Sequence, residues 1–285
     1  MRKESQSGDQ WPLVLVPCPY QGHINPMLHL GKILHSKGFS ITIAHTNFNS
    51  ADPQSHPEFS FLPILDGLSD HEISTGIHII STINVNCKLS FQQLLESHNN
   101  IFSCIIFDEL MHFRQTVAAN LKLPCVTLST NNFATFLSRS ALCQLIGEGQ
   151  IPFQDSRSQE MVPKLEPLRF KDLPIPRSPD LNGFVQLMAE AYKIVNSLGV
   201  IWNTIDCLEQ PYLMQIQQKF CWAPIFPIGP LHKIAPHTSG SLLKEDRSCI
   251  PWLDKKSRNS VVYVSFGSVA SIGEKLKRWL GVGQQ

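Results

Sequence analysis

Short, unbroken apolar runs alternate along the first 230 residues with longer segments whose apolar positions recur at helical spacing. An unbroken run such as residues 13–16 predicts a strand that is buried on both faces. The alternation of such strands with helices predicts an α/β fold, in which a parallel sheet carries helices on both faces. The predicted strands are residues 13–16, 41–44, 101–107, 125–128, 199–203 and 224–228, and the predicted helices cover residues 113–121, 133–146 and 208–220.

A helix is also predicted directly after the first strand. We expect it to start at Pro26, with Asn25 as its cap, because proline is favoured at the first helical position and asparagine at the cap. Gly38 is expected to end this helix. The residues from 17 to 25 are then a loop at the carboxyl end of the first strand, where open α/β sheets bind their ligands.

Two stretches do not fit regular elements. Residues 148–180 are rich in Pro, Ser, Asp and Arg, and we expect them to form a long surface excursion. Residues 231–247 have the composition of a linker, which predicts one domain over residues 1–230 and the start of a second over 248–285. The apolar run at 261–264 is predicted to be the first strand of that second domain.

Composition narrows the class of protein. Hydrophobic residues make up 42% of the chain and charged residues 16%, with a net charge of +1 and no dense basic run, so a globular protein is expected and nucleic acid is not expected as a partner. The eight cysteines form no CxxC pair, which favours reduced thiols over disulfides or zinc ligands. No apolar run is long enough for a membrane span or a signal peptide, so we expect a soluble, cytoplasmic protein.

Two side chains are candidates for chemistry. His23 lies in the loop after the first strand, next to Gly22, and Asp108 ends the apolar run of the strand at 101–107. Both therefore face the crevice at the carboxyl ends of the strands. An aspartate that bonds a histidine fixes its tautomer and stabilises the imidazolium, which would make His23 a general base for a hydroxyl nucleophile. The alternatives stay open at this point: a surface histidine, and an aspartate that caps a helix or forms a loop salt bridge.

Other reaction classes are disfavoured. The sequence has no GxGxxG after its first strand, no GxSxG elbow and no GxxxxGK[ST] loop. Its eleven histidines show no HExxH or other metal-ligand spacing. We therefore expect neither a dinucleotide oxidoreductase, an α/β-hydrolase nor a P-loop enzyme, and no metal cofactor.

Four motifs together resemble the plant family-1 UDP-glycosyltransferases. The resemblance covers the chain from about residue 11 to about residue 275. It rests on Gln-Gly-His-Ile-Asn-Pro at 21–26, Cys-Ile-Ile-Phe-Asp at 104–108, Phe-Pro-Ile-Gly-Pro-Leu at 226–231, and Val-Val-Tyr-Val-Ser-Phe-Gly-Ser at 261–268.

The resemblance implies the two facing Rossmann-like domains of a GT-B glycosyltransferase. The first domain would hold a small hydroxylated acceptor, such as a flavonoid or a hormone, and the second a UDP-sugar, usually UDP-glucose. His23 would take the acceptor proton in an inverting reaction, while Asp108 balances the imidazolium. The donor would meet Gly22, Thr130 and Ser268, and the acceptor would meet Gln21 and Leu110.

The sequence departs from this family at its end. The family's signature box, rich in Trp, Gln, His, Gly and Glu, does not occur within the 285 residues. We therefore expect a chain that is truncated before the box and inactive by itself. The alternatives are a non-catalytic fragment that binds the acceptor and the product of a frameshifted or misannotated gene. Residues 276–281 can be obtained from plausible codons for the family's usual pattern by removing one base, so we expect the residues from 278 onward to be out of frame. The alternative is a real but divergent helix.

Overall fold

The computed structural model describes residues 11–68, 76–98, 101–163, 165–176, 180–193, 197–219, 223–236 and 246–265. Contacts divide the chain into two compact units, Met1–Gly240 and Ser241–Gln285. The strands are β1 (Pro12–Val16), β2 (Ser40–Thr46), β3 (Ser60–Ile64), β4 (Cys104–Asp108), β5 (Cys125–Ser129), β6 (Val200–Trp202) and β7 (Ile225–Pro227). The helices are α1 (Gln21–His35), α2 (Gly76–Ser97), α3 (Arg114–Leu121), α4 (Phe133–Gly147), α5 (Leu181–Tyr192), α6 (Asp206–Lys219), α7 (Leu231–Ile234) and α8 (Ile250–Leu253).

All seven strands form one parallel sheet in the order β3-β2-β1-β4-β5-β6-β7, which confirms the predicted fold class. The chain runs outward from β1 to β3 on one side, then returns to the centre and runs outward from β4 to β7 on the other. The strand order therefore reverses between β1 and β4. In sheets of this topology, the crevice at that reversal is where ligands bind.

Side chains of β1 alternate between two covered faces, as expected of a strand buried on both sides. Val14 and Val16 pack in a core cluster with α2, α3 and α5. Leu15 points to the opposite face, against α1, where the helix comes very close. A methyl group added at Gly31 would lie only 3.2 Å from Leu15 Cδ2. A glycine at this position therefore lets α1 pack directly on the sheet.

Helix α1 begins one turn earlier than predicted, and the predicted cap is wrong. The carbonyl of Tyr20 accepts hydrogen bonds from the backbone N–H groups of His23 and Ile24, each at 2.8 Å. Pro26 lies inside the helix, where it removes only the hydrogen bond to the carbonyl four residues before it. Asn25 Oδ1 is buried and has no hydrogen-bond partner in the described part of the chain, so this side chain does not cap the helix. His23 therefore sits in the first turn of α1 and not in a loop.

Strand β3 and helix α2 are among the elements that the sequence did not predict. Strand β3 contains Pro63 and lies at the edge of the sheet, the position where a strand tolerates proline. Helix α2 carries Asn and several β-branched residues, which are weak helix formers. Its inward face buries Ile83, Cys87 and Phe91 completely, so tertiary packing outweighs the weak local preference.

The irregular stretches agree with the sequence only in part. Residues 148–180 contain two short 3₁₀ turns, at Asp155–Arg157 and Phe170–Asp172, and an antiparallel bridge between Met161 and Arg169. Within the predicted linker, α7 is part of the first unit, and the side chain of Leu231 is fully buried. The part of the linker from 237 to 245 lies outside the described residues.

The predicted first strand of a second domain is wrong for residues 261–264. In the second unit, the described residues 246–265 form α8 and no strand, and Val262 and Tyr263 are 86% and 89% exposed. An apolar run becomes a buried strand only where neighbouring strands bond to its edges. No such neighbour exists among residues 246–265. Ser268 and the predicted out-of-frame residues 278–285 lie outside the described residues.

Candidate active site

His23 and Asp108 meet at the point where the strand order reverses. The short connection after β1 leads directly into the first turn of α1, which carries His23, and Asp108 is the last residue of the neighbouring strand β4. The two residues are 85 positions apart in the chain and are brought together only by the pairing of β1 with β4. The crevice predicted from the sequence therefore contains both candidate residues.

The pair has the geometry of a histidine whose tautomer is fixed. His23 Nδ1 lies 2.9 Å from Asp108 Oδ2, and the other carboxylate oxygen, Oδ1, accepts a hydrogen bond from the Leu110 backbone N–H at 3.0 Å. An ionised carboxylate can only accept hydrogen bonds, so Nδ1 carries the proton and donates it. Nε2 is then the unprotonated nitrogen of neutral His23, available to take a proton from a substrate.

Charges around His23 favour its protonated form. Burial alone would lower the pKa of the imidazole, but the charge and hydrogen bond of Asp108 and the charge of Glu109 outweigh burial. The net result is a pKa of His23 above its ordinary value. Arg139 opposes this increase. His23 is therefore a stronger base than a free imidazole, while 19% of its side chain stays exposed.

Thr130 joins the pair, and three other predicted site residues, Gly22, Gln21 and Leu110, lie near it. Thr130 Oγ1 is 3.2 Å from His23 Nδ1, on the segment that follows β5. Gly22 and Gln21 belong to the same helical turn as His23, and the space where a Gly22 side chain would stand is open. Leu110 contacts Asp108 through its backbone, but its side chain is buried in the core cluster.

A buried polar network behind the pair was missed by the sequence analysis. Glu109 is fully buried, accepts a hydrogen bond from Ser129 Oγ at 2.6 Å and another from the Asn131 amide. The Asn131 oxygen in turn accepts a hydrogen bond from Arg139 at 3.0 Å. Burial and then the charge of Asp108 raise the pKa of Glu109. The only signal in the sequence is a second acid directly after a buried strand.

A buried cation was also missed. Arg114, at the start of α3, is 1% exposed and donates to the backbone carbonyls of Glu109 at 2.8 Å and Ala191 at 2.9 Å. Burial lowers its pKa to about 10, although nearby negative charges including Glu109 and Asp108 oppose this. It therefore stays charged at neutral pH, close enough to the buried acids Glu109 and Asp108 to interact with their charges.

Cys18 completes the surroundings of the pair. Its sulfur and the ligand atoms of His23 and Asp108 all lie within 4.8 Å of one another, a grouping of atom types that a soft metal ion accepts. A metal-ligating cysteine must be a thiolate. Burial, followed by the charges of Asp108 and Glu109, raises the pKa of Cys18 well above its usual range, which favours the neutral thiol. Cys18 therefore stands beside the pair as a neutral thiol.

The pH dependence of stability can test the His23–Asp108 interaction. A histidine whose pKa is raised on folding stabilises the protein fully below its unfolded pKa of about 6.5, and this contribution is lost as the pH rises through the folded pKa. We expect Asp108→Asn to lower the pKa of His23. We also expect it to cost more unfolding free energy below about pH 6.5 than in alkaline solution. Urea unfolding of both proteins across the pH range measures this, and an equal loss at every pH would contradict the interaction.

The helices give no sign of a membrane span: of those that the structure describes, none is both long and apolar enough to cross a bilayer.

No protein-family model matches the chain. Among curated proteins, it is 42% identical over 275 residues to UDP-glycosyltransferase 76E1 of Solanum lycopersicum, covering 92% of this chain and 57% of that protein. It is 40% identical over 269 residues to Flavonol 3-O-glucosyltransferase UGT76E12 of Arabidopsis thaliana, covering 90% and 58%. The chain thus spans about three fifths of the length of these relatives.

Solved structures support the same fold. The structure of Phytolacca americana UGT2, complexed with UDP-2fluoro-glucose and pterostilbene, matches with a TM-score of 0.72 at 22% identity, over 93% of this chain and 61% of that one. Os79 from O. sativa in complex with UDP matches with a TM-score of 0.69 at 20% identity, over 91% and 62%. The solved structures support the fold alone, and the curated relatives show that the chain belongs to the plant family-1 UDP-glycosyltransferases.

Proposed function

We propose that this chain supplies the acceptor side and the catalytic base of an inverting UDP-sugar glycosyltransferase that acts on a hydroxyl group of a small plant metabolite. The observation that carries the proposal is the His23–Asp108 pair, 2.9 Å apart at the reversal of strand order. A pair with this geometry can remove a proton from a hydroxyl, which is the step that such a transfer requires.

In the proposed reaction, Nε2 of His23 takes the acceptor proton as the acceptor oxygen attacks the anomeric carbon. The bond between that carbon and the UDP oxygen breaks, and UDP leaves with the electron pair. His23 becomes an imidazolium, and its charge is balanced by Asp108, which accepts the Nδ1 hydrogen bond throughout. Asp108 is completely buried, so water screens its interaction with His23 only weakly.

The remaining predicted residues are proposed to hold the two substrates. Gly22 lies in the first turn of α1, where the positive end of the helix dipole favours a phosphate oxygen. Thr130 is proposed to contact the transferred sugar beside His23, and Ser268 the phosphates. On the acceptor side, Gln21 and Leu110 are proposed to line the pocket.

The identity of the substrates is proposed from the relatives. One relative is named as a flavonol 3-O-glucosyltransferase, and one structural neighbour was solved with UDP-2fluoro-glucose and a stilbene. We therefore propose glucose as the sugar and a flavonoid or a similar hydroxylated metabolite, including plant hormones, as the acceptor. Residues 1–230 are proposed as the acceptor domain, 231–247 as the linker and 248–285 as the start of the UDP-sugar domain, in a cytoplasmic enzyme.

A fusion protein tests this function. Residues 1–247 are joined to the remaining part of the tomato relative and incubated with UDP-glucose and a panel of flavonols. We expect glucoside formation that saturates with both substrates. Binding of a flavonol without any turnover would instead favour an acceptor-binding module. The absence of both binding and turnover would refute the proposal.

A further inference from the structure

The ends of β4 and β5 present their side chains in two layers. Along an extended strand, successive side chains point to opposite faces. In the register of these strands, Asp108 lies opposite Leu128, and the Glu109 N–H donates to the Leu128 carbonyl at 2.9 Å. Asp108 and Thr130 both contact His23 in one layer. Glu109 contacts Ser129 and Asn131 in the other layer.

Glu109 therefore holds the two residues on either side of Thr130. Its Oε2 accepts from Ser129 Oγ, and its Oε1 accepts from the Asn131 amide. The Asn131 amide oxygen is fixed in turn by Arg139, on α4. With its two neighbours held by one buried carboxylate, Thr130 has little freedom to move away from His23 Nδ1, 3.2 Å from its hydroxyl.

We propose that Glu109 is a positioning residue of the His23 site: its carboxylate fixes Thr130 through Ser129 and Asn131, and its charge stabilises the imidazolium. This role goes beyond the proposed glycosyl transfer, because Glu109 takes no direct part in that reaction. Its importance for catalysis rests on the proposed function. Glu109 touches neither substrate, so it acts only through Thr130 and His23.

The charged groups around His23 allow this role to be separated from general packing. Asp108 and Glu109 raise the pKa of His23, and Arg139 lowers it. A second buried carboxylate, Asp66, provides a matched control, because it accepts backbone N–H groups from Phe48 at 2.8 Å and Leu68 at 3.2 Å but is not among the groups that shift His23. Loss of either carboxylate disturbs a buried hydrogen-bonded site, but only the loss of Glu109 should change the pKa of His23.

The experiment is a nuclear magnetic resonance titration of the histidine rings in the 285-residue chain, with the His23 signal assigned through His23→Ala. We expect Glu109→Gln to lower the pKa of His23, and Asp66→Asn to leave it unchanged. We expect Asn131→Ala, which keeps the Glu109 carboxylate, to weaken the nuclear Overhauser signal between the Thr130 side chain and the His23 ring.

Each outcome decides the question. An unchanged His23 pKa in Glu109→Gln, or an equal fall in Asp66→Asn, overturns the electrostatic role. A full Thr130–His23 signal in Asn131→Ala overturns the positioning role. If Glu109→Gln does not fold, Ser129→Ala removes a single hydrogen bond from the same carboxylate and should weaken the same signal. None of these measurements uses sugar transfer, so failure of the proposed reaction would leave them interpretable and would be recognised separately.

Discussion

Replacement of His23 by alanine is expected to lower the turnover of the fusion protein by about 10²–10⁴-fold, the usual contribution of a positioned general base. The acceptor hydroxyl would then have to lose its proton to water as it attacks. Because the imidazole takes part only as the proton moves, the effect should fall on kcat and leave the KM for the acceptor nearly unchanged. Initial-rate kinetics with UDP-glucose and the best flavonol measure both constants.

Two further variants make this result specific. His35, on the same helix, has an exposed side chain, so His35→Ala should keep full activity. Asp108→Asn keeps the shape of the pair but removes the charge that balances the imidazolium, so it should lose activity in the same constant. Turnover near the wild-type rate in His23→Ala would exclude His23 as the base, whatever the effect of Asp108→Asn.

The sequence was sufficient to predict the fold class and the principal pair. Unbroken apolar runs separated by helical segments can hardly form anything other than a parallel sheet with helices on both faces, and six of the seven strands were found in this way. The topology then places the carboxyl ends of β1 and β4 side by side, so a histidine after one strand and an aspartate at the end of the other must lie close together.

The rest depends on contacts between distant segments. The start of α1 was misplaced because proline is usually read as a first helical residue, whereas here the Tyr20 carbonyl holds an extra turn ahead of Pro26. That turn places His23 in the helix and fixes its approach to Asp108. Glu109 could not be assigned because its partners, Ser129 and Asn131, lie on another strand end. A local pattern shows that an acid follows a strand, but not which neighbours satisfy it.

Arg114 is the clearest example of a residue whose role only the three-dimensional structure reveals. In the sequence it is an ordinary polar residue at the beginning of a short helix, and such residues are usually exposed. In the structure it is almost completely buried and bonds two carbonyls, one next to the buried acids and one at the end of α5. It thus joins the carboxyl end of β4 to α5 and supplies positive charge behind the site.

We expect Arg114→Met to lower the free energy of unfolding by about 2–6 kcal/mol, because each of the two buried carbonyls that lose their donor costs about 1–3 kcal/mol. Methionine fills much of the same space, so the loss reflects the missing charge and the two carbonyls left without a donor. Asp108 and Glu109 also lose a nearby positive charge, which adds to the loss. Urea unfolding followed by far-ultraviolet circular dichroism measures the change.

Arg157 offers the matched control for this change. It is partly exposed, pairs with Glu160 at 2.9 Å and lies over the Phe170 ring at 4.4 Å, so it is an arginine held by its own contacts at the surface. Arg157→Met should cost less than about 1 kcal/mol, since water screens such pairs. If Arg114→Met is no more harmful than Arg157→Met, then the buried acids at the end of β4 are stabilised without this cation. In that case their hydrogen bonds to Leu110, Ser129 and Asn131 must carry the stabilisation.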